Sequence, residues 1–287
     1  MYLIRIMNFI EFNDVSFTYP FIEGDLDAQG NQIVPKPVFD HFSGSIPAGF
    51  TSLIGPNGAG KSTFMMLASG RILPDNGYIK LFDQNIAALD EEHKNLIASV
   101  IYQNMEFESE DKVKDLLAYV YQNGALKGKA KAIYSDTDLF DEIIEKFELT
   151  KVLEHGLTQL SKGEIQRVLI AFSLLYGSLS VFMDEPLFAM EQYQKEYSLQ
   201  YLKDFSHKTG TAVFISMHEL DLTKRFADNV LLFYPNRDMD YGTVEEVVTD
   251  EALEKAYGIP AAMLKNKESM TREELTNYSK LMNPDLQ

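Results

Sequence analysis

Gly55-Pro56-Asn57-Gly58-Ala59-Gly60-Lys61-Ser62 lies between an apolar run at Phe50, Leu53 and Ile54 and a stretch that reads as a helix from about Lys61. The spacing is G-x-x-x-x-G-K-[ST], and a strand before it with a helix after it is the context in which that spacing makes a phosphate loop. The residue types follow from the chemistry. Glycines let successive backbone N–H groups curl around a phosphate chain, and the helix N-terminus adds partial positive charge. The lysine bridges the terminal phosphates, and the hydroxyl after it ligates Mg²⁺. Gly55, Pro56, Asn57, Gly58, Ala59, Gly60, Lys61 and Ser62, with the adjoining Thr63, are therefore the candidate nucleotide-binding residues.

The second half of such a site is a carboxylate at the end of a buried strand. Val181-Phe182-Met183-Asp184-Glu185 supplies it. Asp184 is placed to reach the Mg²⁺ shell, and Glu185 to polarise an attacking water.

Working outward, Ile10, Phe12, Val15 and Phe17 alternate as a strand, and short strands follow at 79–82 and 97–102. Residues 112–122 and 138–147 carry the 3.6-residue apolar period of two helices. The chain then alternates: helix at 164–176, strand at 181–183, helix at 191–205, strands at 211–216 and near 230–233. Strands alternating with helices predict an α/β fold with a largely parallel sheet covered on both faces. Residues 24–37 (GDLDAQGNQIVPKP) are acidic and punctuated by Gly and Pro, which predicts an inserted surface loop or long hairpin.

The 287 residues hold 26 Lys+Arg against 43 Asp+Glu, a net charge of −17 that argues against binding nucleic acid through general phosphate attraction. There is no cysteine, which excludes a disulfide scaffold, a thiolate zinc site and a cysteine nucleophile. Residues 1–7 show no signal-peptide cleavage pattern, so a cytosolic start is expected. The longest uncharged run, between Arg167 and Asp184, is about sixteen residues, short of the roughly twenty that a spanning helix needs.

The order of these motifs resembles the ATP-binding cassette (ABC) ATPase family over roughly residues 9–248. The family's Leu-Ser-Gly-Gly-Gln signature has a counterpart in Leu160-Ser161-Lys162-Gly163-Glu164, followed by Ile165-Gln166-Arg167. Lys162 and Glu164 depart from it, and an acidic side chain there works against anion binding. The resemblance implies a P-loop NTPase with a mixed sheet, an N-terminal antiparallel β portion and a helical subdomain over about 104–160. It implies one ATPase domain over 1–249, interrupted by the insertion at about 24–37, and a C-terminal helical extension over 250–287. It also implies that Tyr19 stacks on adenine, that Gln103 contacts Mg²⁺, and that His218 is a switch residue acting with Glu185. Ser161 and Gly163 would bind the ATP held by a second copy. The remaining histidines, His41, His93, His155 and His207, show no metal-ligand spacing and are expected to be solvated or to cap helices.

After Glu185 the family pattern Ser-Ala-Leu-Asp is replaced by Phe188-Ala189-Met190-Glu191. Glu191 keeps the carboxylate on one extra methylene, and Phe188 puts an aromatic ring at the expected dimer seam. One motif set, with only about a hundred residues between Lys61 and Ser161, disfavours the branches with long coiled coils or two cassettes per chain. The stretch from Tyr241-Gly242-Thr243 to Leu253 and Ile259 resembles importer ATPases for iron chelates, cobalamin or related metal complexes. The expected protein is an ATPase using ATP and Mg²⁺, a homodimer when ATP is bound, lying on the inner face of the membrane through an integral membrane permease, with a solute-binding protein allowed in the same system. Met105, Phe107 and Tyr119, set among Glu106, Glu108, Glu110 and Asp111, are the expected permease contacts. The alternative is a soluble ABC ATPase of complex assembly, such as those of iron–sulfur scaffolds.

Overall fold

Apolar alternation at the start of the chain predicts a one-faced strand, and the computed structural model, which describes residues 8–24, 26, 30–103, 105, 109, 111–261, 263 and 264, contains one. In chain order the elements are β1 (Asn8–Phe17), β2 (Phe39–Pro47), β3 (Phe50–Ile54), α1 (Lys61–Ala68), β4 (Asn76–Leu81), β5 (Gln84–Asn85), α2 (Glu91–Ile97), β6 (Ala98–Ile101), α3 (Val113–Asn123) and α4 (Leu139–Lys146). They continue as α5 (Lys162–Tyr176), β7 (Ser180–Met183), α6 (Gln192–Thr209), β8 (Ala212–Ser216), α7 (Leu220–Phe226), β9 (Asn229–Phe233), β10 (Met239–Thr243), α8 (Val244–Val247) and α9 (Asp250–Tyr257). The even-numbered Ile10 and Phe12 and the odd-numbered Val15 and Phe17 are all buried. A register shift between Phe12 and Val15, with Asp14 at φ 51°, changes the parity and lets all four side chains reach the core.

Two sheets result. The first is antiparallel, in the order β2-β1-β4-β5, and supplies the expected N-terminal β portion. The second runs β10-β9-β3-β8-β7-β6, parallel except for the antiparallel edge strand β10. Every residue of β3, β7 and β8 is buried, as strands covered on both faces require. One face packs against the antiparallel sheet and α1 through Phe9, Phe64, Phe182 and Phe214, with the Phe182 and Phe214 rings stacked at 4.9 Å. The other face carries the core shared by α3, α4, α5 and α6, and Leu253 and Ala256 of α9 are fully buried in it.

The strands the sequence did not reveal are edges. β2 and β10 bury little beyond one side, so their apolar signal is weak. The predicted insertion does form a hairpin-like excursion, closed by a bridge between Leu26 and Gln32, with Gln32 Nε2 donating to the Ile22 carbonyl at 2.9 Å. Residues 25 and 27–29 of it, and residues 262 and 265–287 of the expected C-terminal helical extension, lie outside the described residues. Among the described residues no helix is long and apolar enough to cross a membrane.

Candidate functional site

β3 is the central strand of the parallel sheet, and the loop leaves its C-terminal end, where open α/β sheets place ligands. Gly55 turns the chain out of the strand at φ 139°, and a Cβ there would lie 2.5 Å from the Phe233 carbonyl oxygen, so no other residue fits. Lys61, only 6% exposed, folds back over the loop, donating to the carbonyls of Gly55 at 2.8 Å and Pro56 at 3.1 Å. Burial lowers the pKa of its ammonium, opposed by the Glu185 and Asp184 carboxylates.

Both acids follow β7, one strand beyond β8 from β3. Asp184 follows β7, and its Oδ2 accepts from Ser62 Oγ at 2.5 Å across the mouth of the loop. Ser216, the last residue of β8, donates to Asp184 Oδ1 at 2.6 Å and accepts from the Glu185 N–H at 2.8 Å, so one hydroxyl fixes both acids. Glu185 sits at φ 50°, an unfavourable backbone region for a side chain of this size and the kind of local strain found at functional sites. Gln103 Nε2 donates to its Oε2 at 2.6 Å, and His218 Nε2 lies 2.5 Å from its Oε1. A carboxylate only accepts, so the imidazole presents its Nε2–H to Glu185.

Tyr19, Asn57, Lys61, Gln103, Asp184 and Glu185 line one cleft of about 470 Å³, with Ser62 and Thr63 also on its wall, whereas Ser216 and His218 line a separate cavity that shares Glu185 with it. Tyr19 is held by its hydroxyl, 3.1 Å from Thr63 Oγ1, and by an edge contact with Phe17 at 5.0 Å. The oxygens of Ser62, Asp184 and Gln103 form a hard donor set suited to Mg²⁺, which uses one or two carboxylates plus substrate phosphates. No cluster of three or more His, Cys, Asp or Glu suited to a metal occurs among the described residues, and this mode of binding needs none.

Ser161 and Gly163 do not line that cleft. They begin α5, where Ser161 Oγ caps the Glu164 N–H, while Glu164 Oε2 accepts from the Ser161 N–H at 2.8 Å and from its hydroxyl at 2.7 Å. A Cβ on Gly163 would meet the Ala189 carbonyl oxygen at 2.6 Å, so the glycine also seats the turn that carries Phe188, which is 75% exposed. A second concavity, of about 610 Å³, lies between α3, α5 and β6, lined by Arg71, Tyr102, Met105, Tyr119, Phe172 and Tyr176. Met105 and Tyr119 are two of the three expected apolar contacts there. Phe107, with Glu106, Glu108 and Glu110, lies outside the described residues. His41, His93 and His207 pair with Asp14, Asp90 and Asp228, and Asp90 is the cap of α2.

Sequence reasoning missed Ser216, Lys36, Arg237 and Tyr257. Ser216 alone left a readable trace, as the single hydroxyl closing an otherwise apolar strand. Lys36 and Arg237 line the cleft, and the hydroxyl of Tyr257 on α9 accepts from the Gly55 N–H at 3.0 Å.

Known proteins are similar to this chain in sequence or in fold. The hemin import ATP-binding protein HmuV of Idiomarina loihiensis is 31% identical over 82% of this chain and 92% of its own length. The petrobactin import ATP-binding protein YclP of Bacillus subtilis is 28% identical over 81% of this chain and 92% of its own. Among solved structures, a dimeric ATP-binding cassette in a post-hydrolysis state with ADP and phosphate shares the fold at a TM-score of 0.66 and 19% identity, covering 82% of this chain and 98% of that one. A transporter described as of metal-chelate type matches at 0.64 and 19%, over 88% and 89%. The family model for the ABC transporter matches residues 39–188, from the start of β2 past the loop, the signature helix and both acids, and the chain belongs to that family.

Proposed function

We propose that this chain is the ATP-hydrolysing subunit of an ABC importer and that its cleft turns over Mg-ATP through Glu185. The observation that carries the reading is the Glu185 carboxylate, held between Gln103 and His218 at the mouth of the phosphate loop. Lys61 exchanges the Gly55 and Pro56 carbonyls for the terminal phosphates, an exchange favoured because its buried ammonium lacks a carboxylate bonded to it. Ser62, Asp184 and Gln103 would hold Mg²⁺, whose charge would offset that developing on the phosphates. Tyr19 offers its ring to adenine, giving affinity with little base selectivity. Glu185 accepts the proton of the attacking water, and the His218 N–H keeps the carboxylate aimed.

Two copies would place Ser161 and Gly163 of one over the ATP of the other, and closure would be passed to a transmembrane partner seated in the Met105–Tyr119 groove. That partner would hold the chain at the inner face of the membrane. We assign residues 1–249 to one ATPase domain, with 104–160 as its helical subdomain and α9 as the start of the C-terminal extension. Relatives named for hemin and petrobactin import favour import of an iron-containing chelate. The reading is tested by reconstituting the chain with its co-encoded membrane subunit in vesicles. Solute uptake that requires Mg-ATP and is lost in Lys61→Ala supports it, whereas co-purification with soluble assembly subunits alone contradicts the transport role.

A further inference from the structure

The phosphate loop is held by few hydrogen bonds of its own. Its internal bonds are the two from Lys61 Nζ to the Gly55 and Pro56 carbonyls and a long one of 3.3 Å from the Ala59 N–H to the Pro56 carbonyl. Once Lys61 turns to a phosphate, its two bonds are gone, and a loop with three glycines has wide conformational freedom. The loop's N–H groups then meet the phosphates, and support on its carbonyl side must come from outside the loop.

Arg237 supplies it. Its Nη1 donates to the Gly58 carbonyl at 2.7 Å, and the guanidinium lines the cleft beside Gly60. The turn that carries Arg237 has no need of this side chain. It is closed by the Tyr234 N–H to the Asp238 carbonyl at 2.9 Å, the Arg237 N–H to the Tyr234 carbonyl at 3.0 Å, and the Asp238 N–H to Asn236 Oδ1 at 3.3 Å. Arg237 itself sits at φ 76°, a conformation that glycine adopts without strain and arginine does not. The backbone favours glycine, the turn is complete without the guanidinium, and no described carboxylate pairs with it. What remains is its bond to the loop.

We propose that Arg237 is a positioning residue of the nucleotide site, fixing the Gly58–Ala59 peptide of the phosphate loop from the β9–β10 turn while Lys61 is engaged with nucleotide. The proposal rests on the ATP reading of the cleft. It also places a permanent cation beside a polyanion's path in a chain of net charge −17.

Arg237→Gly separates positioning from folding, because it removes the guanidinium and relieves the backbone at once. Isothermal titration of the full-length chain with Mg-ATP is expected to show the dissociation constant raised roughly tenfold or more, as for loss of a charge-assisted hydrogen bond. The melting temperature without nucleotide is expected to be equal to that of the wild type or higher. Arg237→Lys, which keeps the charge and a donor, is expected to recover part of the affinity. An Arg237→Gly protein that binds Mg-ATP as tightly as wild type would overturn the proposal. So would one that melts several degrees lower without nucleotide, since Arg237 would then be a fold contact. Wild-type protein that binds no Mg-ATP would contradict the reading of the cleft instead.

Discussion

Gly163 shows how one residue serves two demands. It stands in the signature, where the resemblance asks for a backbone amide near phosphate, and its missing Cβ leaves room for the Ala189 carbonyl. Gly163→Ala would force that carbonyl or the α5 start to move, and overpacking of this kind costs about 1–3 kcal/mol. Thermal melting of the variant is expected to fall by several degrees, and an unchanged midpoint would show that the 188–190 turn yields freely. Residues of this sort were legible in the sequence because their chemistry permits few types: glycines for a tight loop, Lys61 for phosphates, and Asp184 and Glu185 for a cation and a water. Ser216 left only the trace of a single hydroxyl closing an apolar strand, and Arg237 and Tyr257 were not legible. The roles of the last two arise only when the β9–β10 turn and α9 are brought beside β3 and its loop, and nothing local to either marks it.

At the scale of the element, α5 begins with a capping box in which Glu164 holds Ser161 by two bonds. Those bonds lower the Glu164 pKa from its ordinary value of 4.5. A depressed folded-state value means that the cap stabilises the protein above pH 4.5 and that this contribution is lost as the pH falls through the lower folded-state value. Glu164→Gln keeps a side chain able to close the box but removes the titration. Its acid unfolding curve is therefore expected to fall less steeply than that of wild type below about pH 4.5. The same variant removes a negative charge beside Ser161 and Gly163, the residues proposed to face ATP of a second copy. Sedimentation with Mg-ATP is expected to show tighter dimers, and weaker dimers would count against that placement. The buried strands follow the apolar runs, and α3, α4 and α6 start within a residue or two of expectation, whereas the short helices α2, α7 and α8 carried no legible period. The edge strands β2 and β10 were missed because half-exposed strands lose the pattern on which such reading depends.

For the molecule as a whole, an acidic protein gathers Lys36, Lys61 and Arg237 around a cleft that Asp184 and Glu185 also line. A groove bearing the 70% exposed Tyr119 stands apart from that cleft. Tyr119→Glu is expected to lower affinity for the membrane subunit in a pull-down at least about tenfold, as loss of a buried aromatic anchor does, and to leave Mg-ATP binding unchanged. Undiminished capture would move the docking surface elsewhere. The central claim is that this cleft hydrolyses ATP with Glu185 as its general base, and it is tested most directly by comparing wild type with Glu185→Gln for Mg-ATP affinity and for phosphate release in the presence of the membrane subunit. The account predicts unchanged affinity and a loss of turnover of at least about a hundredfold, the usual contribution of a general base; phosphate release at the wild-type rate from Glu185→Gln would contradict it.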